Sequence, residues 1–261
     1  MSTDVGAMAA AEAGESRGTG LRNALILIAA LFAVWQGLYW WFGDIAIASP
    51  TATARYAIGL FGSERFWPHL IETSKAFVAG YALAVVLGLG IGFWLGFHRT
   101  SGEVLEPMVV AVYSLPKVTL YPILLLAFGL GISAKIAFGT LHGVIPIILF
   151  TIAAVRSVKP VLVKTGRVLR LSPAAMVRTI LFPAALPEIF TGLRVGFALT
   201  LIGVLLAEMF ASQRGLGFLL MNGIGLHNVE QIMAITLLIV VFAASVSTVL
   251  LAIDRRLHRR G

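Results

Sequence analysis

The chain has 261 residues, of which 59% are hydrophobic and only 12% charged, with a formal net charge of +8. So few charges cannot cover a water-soluble domain of this length, where about a quarter of residues are ordinarily charged, and the apolar residues fall in long blocks rather than in the alternation of a membrane barrel. Cysteine is absent, which excludes disulfides, zinc–thiolate sites and iron–sulfur clusters.

In chain order, residues 1–20 are small and polar and read as a disordered tail. Asp4, Glu12 and Glu15 precede the first arginine, so this is not the basic start of a signal peptide. The block from Leu21 to Phe42 is long enough, at ~1.5 Å per residue, to cross a ~30 Å hydrocarbon core. It is too long for a signal-peptide core, so it reads as an uncleaved anchor helix despite the small residues Ala46-Ile47-Ala48 after it. The stretch from Asp44 to Lys75, punctuated by Pro50, Gly59, Gly62 and Pro68, reads as short amphipathic helices at the outer surface. Five further blocks follow at Ala76–Phe97, Met108–Gly129, Lys135–Val155, Ile189–Phe210 and Ile232–Ile253. The expected fold is all-α: a polytopic membrane protein of six transmembrane helices. Its divisions are the tail 1–20, an anchor helix and outer segment 21–75, a core of five spans over 76–256 with a long loop 156–188, and a basic tail 257–261.

Basic residues set the orientation. One set of loops holds Arg17, Arg22, Arg99, Arg156, Lys159, Lys164, Arg167, Arg170, Arg178, Arg255, Arg256, Arg259 and Arg260; the other holds only Arg55, Arg65, Lys75, Lys135 and Arg214. The richer set belongs in the cytoplasm, which puts both termini there, as an even number of spans requires. The positive charge therefore reads as topology and contact with anionic lipid headgroups rather than nucleic-acid binding, for which no motif is present.

The loop 156–188 is too polar to span and too apolar to be a solvated linker. Val158, Val161, Leu162, Val168, Leu169 and Leu171 recur near helical spacing, and Ser172-Pro173 is a helix-start signal, a hydroxyl cap before proline. The pattern predicts a helix, a tight break and a second helix that stops at Pro183. Such a hairpin can lie on headgroups or dock into a partner, and the residues alone leave both open.

Nowhere is a glycine followed by lysine, so the chain has no phosphate-binding P-loop. Gly88, Gly92 and Gly96 share a helix face at four-residue spacing inside a span, which predicts close helix packing rather than a dinucleotide loop. Lys117, His142, Arg194 and Glu208 are ionisable residues in or near spans and are candidates for the translocation path. Each has a plainer use. Arg194 can snorkel, Glu208 can be hydrated near the outer end, Lys117 can satisfy carbonyls freed between Pro116 and Pro122, and His142 can be packed and hydrogen-bonded. Asn222, Gly223, Gly225, His227 and Asn228 fall in an outer segment that reads as a re-entrant turn or surface loop, or as a docking contact. No catalytic constellation or metal-ligand spacing is present, so no cofactor and no enzyme activity are expected.

From Ser172 the chain reads SPAAMVRTILFPAALPEIFTGLRVGFALTLIGVLLAEMFASQRGLGFLL. This resembles the permease subunits of ABC importers of the nitrate/sulfonate/taurine group, through Phe182-Pro183-Ala184-Ala185-Leu186-Pro187, Gly192-Leu193-Arg194, Ala207-Glu208 and Gly215-Leu216-Gly217, with Leu115-Pro116-Lys117 upstream. The resemblance implies that loop 156–188 is a cytoplasmic coupling-helix hairpin for a separate ATPase, involving Lys164, Thr165, Gly166, Arg170, Leu171, Ser172, Pro173, Ala174 and Pro183. It also implies a second permease subunit, identical or not, a solute-binding protein outside, a small solute such as a sulfonate, taurine or nitrate, and a bacterial inner-membrane location. The chain departs from the family's Glu-Ala-Ala and glycine signature: Lys164, Thr165 and Gly166 stand at the first, and Arg170 at the glycine. The competing reading is a stand-alone secondary transporter or channel, which would usually show an internal inverted repeat; none is visible.

Overall fold

The computed structural model describes residues 3–258, and side chains over 22–172 and 175–254. Among these residues every regular element is helical. Helix α1 spans Thr3–Phe42, α2 Pro50–Phe61, α3 Phe66–Phe97, α4 Arg99–Ser114, α5 Tyr121–Phe128 and α6 Ile132–Arg156. After them come α7 Pro160–Val168, α8 Pro173–Met176, α9 Phe182–Phe210, α10 Leu216–Gly225 and α11 Val229–His258. Among the described residues five segments are long and apolar enough to cross a membrane, and α4 with Lys117–Phe128, two pieces bent by 89°, makes a sixth when the bent pair is counted as one span.

Four sequence expectations are corrected. The segment expected to be a disordered tail is helical from Thr3 and runs unbroken into α1; Ala7, Ala9, Ala10, Ala11 and Ala13 supply the strongest helix formers there. The outer amphipathic stretch is only α2, because Phe66–Lys75 belongs to α3. The third span is broken: Leu115, held extended before Pro116 (φ −67°, ψ 141°), ends α4, and a 3₁₀ turn over Lys117–Leu120 starts the chain in a new direction. The helix after Ser172 does not stop at Pro183 either. A π-helical turn over Val177–Leu181 leads straight into α9, with Pro183 in its first turn, so Val177–Phe210 is one long span. Pro183 has no N–H to give the helix, and the π turn before it, in which the Phe182 amide bonds to the Val177 carbonyl, is where the hydrogen-bond register changes to let the helix pass it.

The body of the bundle is α3, α6 and α9, with α6 in the centre. Glycines make the close approach. A Cβ on Gly88 would lie 2.6 Å from Ile147, on Gly92 2.5 Å from Thr151 and on Gly96 2.8 Å from Val155, so the four-residue stripe on α3 packs on α6 as its spacing predicts. Gly90, between them, faces open space. On the other side Gly192, Gly196 and Gly203 of α9 pack on Phe150, Ile147 and His142 of α6. Around this body, Ala76, Phe77, Phe197, Leu201 and Val204 form one buried cluster of α3 and α9, and Tyr121, Ala134, Phe138 and Ala207 tie α5 to α6 and α9. The Tyr121 hydroxyl fixes that corner by donating to the Ala207 carbonyl at 2.8 Å.

Candidate functional site

Two constructions stand at opposite parts of the sequence: a helical hairpin, and a buried network of charges. In the hairpin, α7 ends with the amide of Leu171 bonded to the Gly166 carbonyl (3.1 Å) and that of Arg170 to the Arg167 carbonyl (3.0 Å). This is a Schellman closure, and it puts Arg170 at φ +50°. The residue at which the resemblance expects glycine therefore does adopt the left-handed backbone that favours glycine. A left-handed L-residue costs about 1–2 kcal/mol, so Arg170→Gly should firm up the turn, and hydrogen exchange at the Arg170 and Leu171 amides should slow by several-fold. Ser172 then caps α8 as expected, its hydroxyl accepting from the Ala175 amide at 3.3 Å.

Gly166 is buried, and a Cβ there would press on Met176 and Ile180, so the two arms of the hairpin pack through it. Lys164, Thr165, Arg167 and Arg170 are exposed, and so are the apolar side chains of Val161, Val168 and Leu169. The side chains of Pro173 and Ala174, also expected to belong to this surface, lie outside the described residues. At the base of the hairpin, Ser157 donates to Glu188 at 3.0 Å, and Arg156 pairs with Glu106 of α4.

The second construction centres on Glu208, which is 1% exposed rather than hydrated. Thr73 of α3 donates to its carboxylate at 2.9 Å, and the Gly217 amide, in the first turn of α10, donates at 3.0 Å. The Leu216 amide bonds to the Thr73 hydroxyl (2.8 Å) and the Gly215 amide to His69 Nδ1 (3.1 Å). Three amides at the start of α10, those of Gly215, Leu216 and Gly217, are thus taken up by α3 and α9 side chains. Gly215 has φ +122°, and a Cβ on it or on Gly217 would overlap Glu208, which accounts for glycine at both positions.

Lys135 of α6, 3% exposed, completes the cluster. Its ammonium bonds to Glu72 (3.1 Å) and to the Arg214 carbonyl (2.8 Å), and lies 3.9 Å from Glu208. A cleft of about 450 Å³ opens beside it, walled by Glu72, Leu130, Ser212, Gln213 and Arg214. Of the charged members of this network, only Glu208 is among the path candidates named from sequence; Gly215 and Gly217 enter there through the resemblance alone. Lys135 reads from sequence as a loop cation at the start of a span, and Glu72 lies in the stretch read as surface helix. The available signal is charge balance: a glutamate inside one apolar span needs a partner, and a lysine at the edge of another can supply it.

The other candidate path residues do not meet each other. Lys117 donates to the Tyr113 carbonyl at 2.9 Å and lies 4.7 Å from the centre of the Tyr113 ring, so it closes the end of α4 freed by the break. His142 is buried, with Nδ1 2.9 Å from its own helix's Phe138 carbonyl and its ring against Gly203. Arg194 is held 3.9 Å from Asp254 of α11 rather than reaching out alone. Of the segment read as a re-entrant turn or surface loop, Asn222, Gly223 and Gly225 lie in α10 and His227 and Asn228 in the turn after it, where Asn228 caps α11 through the Gln231 amide at 2.9 Å.

A family model described as the binding-protein-dependent transport system inner membrane component matches residues 84–260. The chain belongs to this family. Among its relatives, the taurine transport system permease protein TauC of Escherichia coli K12 is 28% identical over 197 residues, covering 76% of this chain and 72% of that protein. A putative aliphatic sulfonates transport permease, SsuC of Bacillus subtilis 168, is 25% identical over 244 residues, 91% of this chain and 87% of its own length. An inward-facing structure of the methionine ABC transporter MetNI shares the fold with a TM-score of 0.65 at 19% identity, over 75% of this chain and 99% of that one. As an inner membrane component of this family, the chain is a membrane-embedded permease subunit. The family match includes the hairpin, Lys135, Glu208 and the α10 glycines, whereas Glu72 and Thr73 precede it.

Proposed function

We propose that this chain forms the translocation path of an ABC importer for a small organic or inorganic anion such as a sulfonate, taurine or nitrate, and that its α7–α8 hairpin couples the path to a separate ATPase. The observation that carries the reading is the hairpin's construction. Its turn is closed by backbone hydrogen bonds and its arms pack through Gly166, yet Val161, Val168 and Leu169 stand exposed among cations. An ordered hairpin with apolar side chains uncovered suits a surface that another subunit covers. The basic residues favour a cytoplasmic position for it and for both termini. A second permease, identical or different, would complete the pore, and a solute-binding protein would deliver from the opposite side. The taurine and sulfonate relatives support the solute class.

The test is a pull-down of the tagged chain from solubilised membranes followed by mass spectrometry. An ATP-binding subunit carrying a P-loop should come down with it. A Val168→Asp, Leu169→Asp variant should lose that subunit by about tenfold or more, while the second permease copy stays. Recovery of the chain alone in good yield, or unchanged recovery with the variant, would remove the coupling reading.

A further inference from the structure

We propose, on the ground of the importer reading, that Arg156 is a positioning residue that fastens α4 to the base of the hairpin, so that α4 follows the hairpin and the chain turns at the break between Leu115 and Leu120. Arg156 is the last residue of α6, directly before the hairpin. Its guanidinium lies over the buried Gly102 of α4, where a Cβ would overlap it, and it pairs with Glu106 one turn further on. That turn of α4 is a weak one. Pro107 follows Glu106 inside the helix and has no N–H to give the Glu103 carbonyl. A flat, forked side chain laid along Gly102 and Glu106 braces the weakened turn and joins it to the hairpin base at the same time.

The break separates two seated pieces. On one side, Leu105 and Val109 of α4 rest on the buried Leu95, Ile148 and Ile152. On the other, Tyr121 is buried against Phe138 and bonded to the Ala207 carbonyl. Between them Leu115 and Val118 are exposed, and Lys117 reaches back across the joint to the Tyr113 carbonyl. A stretch with little buried side chain between two packed pieces is where bending costs least. The hairpin base has a second tie, from Ser157 to Glu188, but that one leads to the continuous span Val177–Phe210. A displacement of the hairpin therefore meets an unbroken helix on one side and a jointed one on the other, and Arg156 is the link to the jointed one. Both members of the Arg156–Glu106 pair are about a third exposed, 36% and 35%, so the pair adds little to stability and its variants should fold.

The test is hydrogen exchange on the full chain purified with the subunits that accompany it, with and without ATP and vanadate. In the parent, nucleotide should change exchange both in the hairpin and at the Leu115–Leu120 amides. Arg156→Gln should keep the hairpin's response and lose the one at the break, with an unfolding midpoint close to the parent's. Without nucleotide it should also speed exchange in the α4 turn around Gly102–Glu106 by about two- to fivefold. Arg156→Glu combined with Glu106→Arg should restore both. No nucleotide response at the break in the parent, an undiminished one in Arg156→Gln, or no recovery in the exchanged pair would overturn the proposal. If no ATPase accompanies the chain, the importer reading fails and the link to the hairpin with it, whereas the bracing of the α4 turn is still read from the nucleotide-free exchange.

Discussion

Replacing Glu208 by alanine is expected to destabilise the protein by about 3–5 kcal/mol, the usual penalty for removing one member of a buried, hydrogen-bonded charge cluster. The carboxylate takes bonds from Thr73 and from the Gly217 amide. Without it the Gly217 amide has no acceptor at a buried helix start, and Lys135 loses one of the two carboxylates near it. The alanine would also leave a void between α3, α9 and the start of α10. The expected result is a large drop in the unfolding midpoint of the detergent-solubilised protein and a poor yield of monodisperse material. Glu208→Gln keeps an acceptor of the same shape and should fall between alanine and the parent. A parent-like midpoint for Glu208→Ala would mean that the seating of α10 does not depend on this cluster.

Gly92→Leu should also be clearly destabilising, and Gly90→Leu should be close to silent. The two glycines are two residues apart on the same helix, and leucine gains the same helix propensity at each, so the comparison isolates packing. A Cβ at Gly92 would lie 2.5 Å from the Thr151 Cβ and 3.0 Å from the Ile148 carbonyl oxygen, while a Cβ at Gly90 meets nothing within 4 Å. Thr151 is stiff and its hydroxyl is tied to the Ile147 carbonyl at 2.6 Å, so it cannot swing away. Backbone would have to move, and overpacking of this kind costs about 1–3 kcal/mol or more. The measurement is the unfolding midpoint of the two variants side by side. Equal outcomes at the two positions would show that the α3–α6 contact does not select glycine at position 92.

These residues also show what a sequence can and cannot disclose. The stripe Gly88, Gly92, Gly96 was legible because packing faces repeat with the helix. The spans were legible because a bilayer sets their length. The Ser172 cap was legible because capping is local. The wrong boundaries have a common origin. A proline marks a place where hydrogen bonding must change, but not how the chain responds: at Pro116 the helix breaks by 89°, while at Pro183 it runs on from a π turn. The charge network was the least legible part. Glu72 and Thr73, Lys135, and Glu208 with the glycines 215 and 217 come from three stretches far apart in the chain, and no local pattern brings the three together.

Helix α1 stands apart from all of this. None of its membrane-crossing stretch is buried, and beyond its few contacts with α2 it is joined to the rest by Trp35, which donates to the Ala48 carbonyl at 3.0 Å. The family match begins at residue 84, well past it. Its removal would therefore subtract almost nothing from the hydrophobic core. A crossing that carries none of the load can drift in length and sequence across a lineage without penalty to folding, and its tilt is answerable to the lipid thickness around it more than to the helices beside it.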